Sequence, residues 1–105
     1  MTQAELYTML TSLGLPVAYR AFKEPTDPPF ICYIFQNSGD LMADNANTVS
    51  LNSFDIEFYA DEKDLTNESA IEALLKANKM PYRKYSAWIE SEKLEETIYE
   101  IQITD

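Results

Sequence analysis

Four apolar positions near the N-terminus, Leu6, Met9, Leu10 and Leu13, recur at the helical interval and predict one short amphipathic helix. Thr2 with Glu5 three positions on is a capping box, each side chain satisfying the other's free backbone donor. Gly14 stands where a left-handed residue closes a helix, and Pro16 prevents continuation. Residues 17–22 are rich in β-formers and read as a strand. Pro25, Pro28 and Pro29 then make a stiff extended turn that cannot join a ladder. The unbroken apolar run in 30–36 predicts a central strand covered on both faces.

Residues 37–48 read as a long irregular connection, twelve residues where about 4–6 is usual, and such connections are often functional. Residues 49–59 alternate, with Phe54, Ile56 and Phe58 on one face and Asp55, Glu57 and Tyr59 on the other. Thr66 is the expected cap of a second helix running to about Lys79, with Ala70, Ile71, Leu74, Leu75 and Ala77 as its apolar stripe. Two strands at 82–90 and 97–104 flank a tight acidic turn at 91–96. The prediction is one α+β domain over 1–105, in the order α-β-β-β-α-β-β. About five mostly antiparallel strands carry two helices on one face.

Composition supports a packed core, since 46% of the 105 residues are apolar or aromatic. It also narrows the chemistry. The chain has no histidine, so a Ser/His or Cys/His nucleophile and the commonest metal ligand are absent. One cysteine allows neither an internal disulfide nor a thiolate zinc site, and Gly14 and Gly39 alone cannot build a phosphate-cradling loop. Cys32 lies inside the most apolar strand and reads as an inert structural thiol. The acids Asp61, Glu62, Asp64 and Glu68 fail as a calcium loop, because Lys63 and Thr66 fall at the third and sixth positions. The expectation is a non-enzymatic protein with no cofactor and no metal.

Eighteen acids against eight bases give a net charge of −10, which repels both a phosphate backbone and an anionic membrane. Sequence-specific nucleic-acid binding and membrane binding are therefore not expected. The first five residues have neither the basic region nor the apolar run of a signal peptide, and an unpaired cysteine suits the cytoplasm. One basic and aromatic cluster stands out, Tyr82, Arg83, Lys84, Tyr85 and Trp88. It suits stacking on single-stranded nucleic acid or pairing with a partner protein, and the overall charge favours the second. Core packing is the other reading of Trp88.

Read in order, several stretches resemble a known family. They are Leu15-Pro16-Val17-Ala18-Tyr19, Pro28-Pro29-Phe30-Ile31-Cys32-Tyr33, Asp55-Ile56-Glu57-Phe58-Tyr59, Lys63-Asp64, and the C-terminal run from Glu90 to Ile101. The chain resembles the small tail-completion and head–tail joining proteins, tail terminators among them, of long-tailed phages and prophages of Gram-positive bacteria. The resemblance covers nearly all of the chain; Glu95 stands where it would place an aromatic residue.

The resemblance implies a virion structural protein that caps the tail tube as a ring and offers a surface to the head. Its partners would be copies of itself and the tail-tube and head-connector proteins. It would reside in the bacterial host cytoplasm during assembly and then in the virion. Tyr85 and Trp88 are the candidate contacts between copies, and Leu41 and Met42 the candidate anchor on the tube. Asp40 and Asp44 are candidate acids of a lumen that must not grip DNA. The rival classes are an acidic interaction module with a single protein partner and an inhibitor that mimics DNA.

Overall fold

The computed structural model describes residues 1–43 and 47–104. Its elements are α1 (Gln3–Thr11), β1 (Val17–Tyr19), β2 (Phe30–Ala43), β3 (Asn47–Ala60), α2 (Leu65–Ala77), β4 (Arg83–Ile89) and β5 (Leu94–Thr104). That is the expected order in an α+β fold. The strands form one sheet in the order β1-β2-β3-β5-β4. Only β1 and β2 run parallel; the other three ladders are antiparallel.

The predicted capping box forms. Thr2 Oγ1 accepts from the Glu5 amide at 3.1 Å, and Glu5 Oε1 accepts from the Thr2 amide at 2.9 Å. Gly14 takes φ +82°, the left-handed region where glycine carries no Cβ penalty. Leu6 and Leu10 are fully buried. They meet Ile71 and Leu75 of α2 over one sheet face, built from Ile31 and Tyr33 of β2, Phe54, Ile56 and Phe58 of β3, and Tyr99, Ile101 and Ile103 of β5. Both helices thus cover the same face, and the alternation read from β3 is the physical one.

Several boundaries differ from expectation. α2 is capped by Asp64, not Thr66: the carboxylate accepts from the Asn67 amide at 3.0 Å and from its side-chain nitrogen at 2.7 Å. An ionised cap also complements the positive end of the helix dipole. The first strand stops at Tyr19 because Arg20 is left-handed, at φ +69°. β5 begins at Leu94, so part of the expected acidic turn is strand, and left-handed Lys93 makes the reversal. Glu95 pairs in register with Trp88, and the last hairpin is regular.

The largest correction concerns the expected connection at 37–48. β2 continues to Ala43 and β3 begins at Asn47, with an unbroken ladder from Asn37↔Ser53 to Ala43↔Asn47. Small polar residues such as Asn37, Ser38 and Gly39 read as loop by propensity. Cross-strand pairing overrides that preference after an irregularity between Phe35 and Asn37. Asp44 lies outside the described residues, while Asp40, Leu41 and Met42 occupy strand positions.

This long hairpin outruns the rest of the sheet. The last β1–β2 pair is Tyr19↔Tyr33, and the last β3–β5 pair is Leu51↔Thr104. From Asp40↔Ser50 onward the two strands pair only with each other, as an arm.

Candidate interaction surface

The sheet's two margins are unlike. β1 is three residues long, closed by left-handed Arg20 and followed by the proline segment, all of which blunt an edge. β4 has seven residues, no proline and, among the described residues, no strand on its outer side, and six of the seven are exposed. Tyr85 pairs with Ile98, and Trp88 with Glu95, so the two aromatics stand on opposite faces of the strand. They are 47% and 49% exposed, which removes Trp88 from the core. Trp88 Nε1 donates to Glu90 Oε2 at 2.6 Å, and Lys93 closes on the same carboxylate, fixing the turn beside it.

Behind this margin lies an ion-pair network that sequence reasoning missed. Glu68 of α2 is 1% exposed. Its Oε1 is 2.9 Å from Lys84 Nζ, and its Oε2 is 3.1 Å from Lys63 Nζ. Neither oxygen meets a well-aligned hydrogen-bond donor, so the two ammonium groups are what hold the charge. Lys84 also reaches Glu72 Oε2 at 2.7 Å, and the Tyr99 hydroxyl donates to that oxygen at 2.9 Å. The Lys84 contact, with Tyr99 adding to it, holds the Glu72 carboxyl below its usual range, and its two carboxylates raise Lys84. The network ties α2 to the bare margin. Glu68 entered the sequence reading only as a failed calcium ligand; its place on the apolar stripe of α2, three residues before Ile71, was the missed signal.

The face of the sheet away from the helices is acidic. Asp55 pairs with Glu100, and Tyr59 with Glu96, with Glu57 between them on β3. The Tyr59 hydroxyl donates to Glu96 Oε2 at 2.7 Å and stands 3.0 Å from Glu57 Oε1. A phenol has one proton for two carboxylates, so the trio is one donor short when both are ionised. Burial, and then the Glu96 charge, push Glu57 up despite Tyr59; burial and Glu100 push Asp55 up. Over one end of this face the segment after β1 folds back. Phe22 meets Phe30 edge-on at 5.2 Å, Phe30 meets Tyr59 at 5.1 Å, and a 260 Å³ cavity there is bordered by Cys32 and Glu92. Cys32 is buried, and desolvation raises its thiol to about 11, which makes it a poor nucleophile.

The two sets of carboxyls make opposite pH predictions. Asp55 and Glu57 bind protons more tightly folded than unfolded, so their contribution falls as pH rises through their folded values. Glu72 does the reverse, contributing above the ordinary 4.5 and losing that as pH falls through its lowered value. The thermal midpoint should therefore rise on acidification from neutrality toward pH 4.5, then fall. Asp55→Asn with Glu57→Gln should flatten the rise in a calorimetric pH series. A rise of unchanged size in that variant would contradict the assignment.

The structure does not bring the expected site residues into one place. Tyr85 and Trp88 share the β4 margin, whereas Asp40, Leu41 and Met42 belong to the β2 strand of the arm. Among the described residues, no three His, Cys, Asp or Glu side chains converge as a metal site would require. No helix among them is long and apolar enough to cross a membrane.

No family model matches the chain, and no curated protein matches it. Among solved structures, its fold is similar to a chain in the virion of a native gene transfer agent particle. The TM-score is 0.60 at 12% identity, over 90% of this chain and 82% of that one. At that identity the likeness is one of fold.

Proposed function

We propose that this chain is a non-enzymatic virion structural protein that caps a phage tail tube and joins it to the head, acting as a ring. The observation that carries the reading is the fold shared with a chain of a gene transfer agent virion across 90% of the length. A ring needs two different surfaces on one subunit, and the bare β4 margin and the projecting arm are two such surfaces. Tyr85 and Trp88 serve the contact between copies, and Leu41 and Met42 the contact with the tube. The acids of the open face, together with Asp40 and Asp44, repel the phosphate of DNA passing the ring. Partners are copies of the chain, tail-tube proteins and head connectors. The protein acts in the host cytoplasm during assembly and then resides in the virion.

Deleting the gene should leave tails of uncontrolled length without heads, and adding the purified protein to growing tubes should restore uniform length in negative-stain images. Normal tails in the deletion strain would refute the reading. Leu41→Ser with Met42→Ser should leave the thermal midpoint within a few degrees of the parent yet fail to complement the deletion. Full complementation would detach the arm from the tube.

A second reading, a DNA-mimic inhibitor with one protein partner, draws on Asp55, Glu57, Glu96 and Glu100 sharing the open face. It predicts that the purified chain displaces DNA from a DNA-binding protein and that the deletion leaves tails unchanged.

A further inference from the structure

The sheet leaves two stretches of strand margin without a strand beside them. One is β4, Arg83 to Ile89. The other is the margin of β2 on the β1 side: β1 ends opposite Tyr33, and beyond it the Phe35 amide donates to the Tyr19 hydroxyl at 3.2 Å. From Gln36 to Ala43 no strand among the described residues lies on that side. Among the described residues neither stretch has a strand beside it, a strand margin of that kind can template pairing with another chain, and a two-stranded arm by itself is marginal in water. β1, between them in function, is short and blunted. The chain thus protects one part of its perimeter and leaves two others bare.

We infer that the β4 margin of one copy pairs with the bare upper margin of β2, Asn37 to Ala43, in a second copy, continuing the sheet from subunit to subunit. This rests on the ring reading above and specifies the contact that would build it. Lengths agree: β4 has seven residues, and 37–43 is seven. The margins lie on opposite sides of the sheet, so the contact is head-to-tail, the kind that closes into a ring.

Direction agrees too. Along β2, β3, β5 and β4 each ladder is antiparallel, so β4 runs opposite to β2. A rotation about an axis along the strands preserves those directions, and the new ladder is antiparallel. Because β1 blocks the lower part of β2, the incoming strand must dock higher along it. That displacement is the stagger a sheet needs to close on itself. Charge is complementary in sequence, since β4 brings Arg83, a base outside the Glu68 network, with no acid, and 37–43 brings Asp40 with no base.

The test uses the whole chain with single cysteines at two exposed positions, Ser86→Cys on β4 and Ser38→Cys on the upper part of β2, and a short bis-maleimide. Buried Cys32 is left in place. Reaction is run at high protein concentration and again with tail tubes added. Covalent dimer is expected when the two variants are mixed, and neither variant alone should give it. The double variant should give a ladder ending in a closed species. Self-linking by Ser86→Cys alone would mean a symmetric β4–β4 dimer and would overturn the inference; so would absence of the mixed product under both conditions.

Hydrogen exchange supplies a second reading: amides of 83–89 and 37–43 should slow together as copies associate. Association by sedimentation without that slowing, or without the mixed product, overturns this contact and leaves the ring reading standing. Normal tails in the deletion strain remove the ring reading itself.

Discussion

Replacing Lys84 with methionine is expected to cost about 3 kcal/mol of folding stability, because it leaves the Glu68 carboxylate buried with half its counter-charge gone. Glu68 is 1% exposed and holds Lys84 at 2.9 Å and Lys63 at 3.1 Å. Methionine keeps the apolar stem of the lysine, so lost packing is a minor part of the change. Lys63 remains and can neutralise Glu68 in part, which places the cost at the low end of the range for breaking a buried pair. For a domain of this size that is a fall of about 12–20 °C in the thermal midpoint.

The discriminating measurement is a double-mutant cycle with Glu68→Gln by urea denaturation. If an unpaired buried charge is the cause, the double variant recovers much of the loss. Equal losses in the single and double variants would assign the effect to packing instead. A single-variant loss below about 1 kcal/mol would show that Lys63 alone satisfies Glu68.

What the sequence discloses is the part of the structure governed by local rules. The capping box at Thr2 and Glu5, the left-handed Gly14 and the alternation of Phe54, Ile56 and Phe58 each depend on near neighbours, and each is present as expected. The upper part of β2 is the opposite case. Asn37, Ser38 and Gly39 favour turns by themselves, and they lie in a strand because Ser53, Asn52 and Leu51 stand opposite them. Glu68 is a mixed case: its place on the apolar stripe of α2 marks it for burial, but the lysines from two other segments that meet its carboxylate are recorded by no spacing in the sequence.

The margin residues were visible as types and invisible as an arrangement. Tyr85 and Trp88 stand out in the sequence, yet only the ladder with β5 puts them on opposite faces of an uncovered strand.

That arrangement makes the second large effect one of assembly rather than of folding. Tyr85→Ala with Trp88→Ala should leave the chain folded, because each ring is about half in solvent already and neither belongs to the buried cluster. The expected loss of stability is about 1 kcal/mol, including the Trp88 hydrogen bond to Glu90. A contact between copies would suffer far more. Aromatic anchors at the centre of an interface each contribute 2 kcal/mol or more on truncation, so association should weaken by at least roughly 30-fold per residue. The two rings flank the strand on both faces, where they would close over an incoming strand and shield its ladder from water.

The double variant should therefore give a cooperative thermal transition close to the parent's, fail to form the mixed cross-link, and leave tails over-long in a complementation assay. Unfolding would return Trp88 to the core. A folded variant that terminates tails normally would free the β4 margin of any role in assembly.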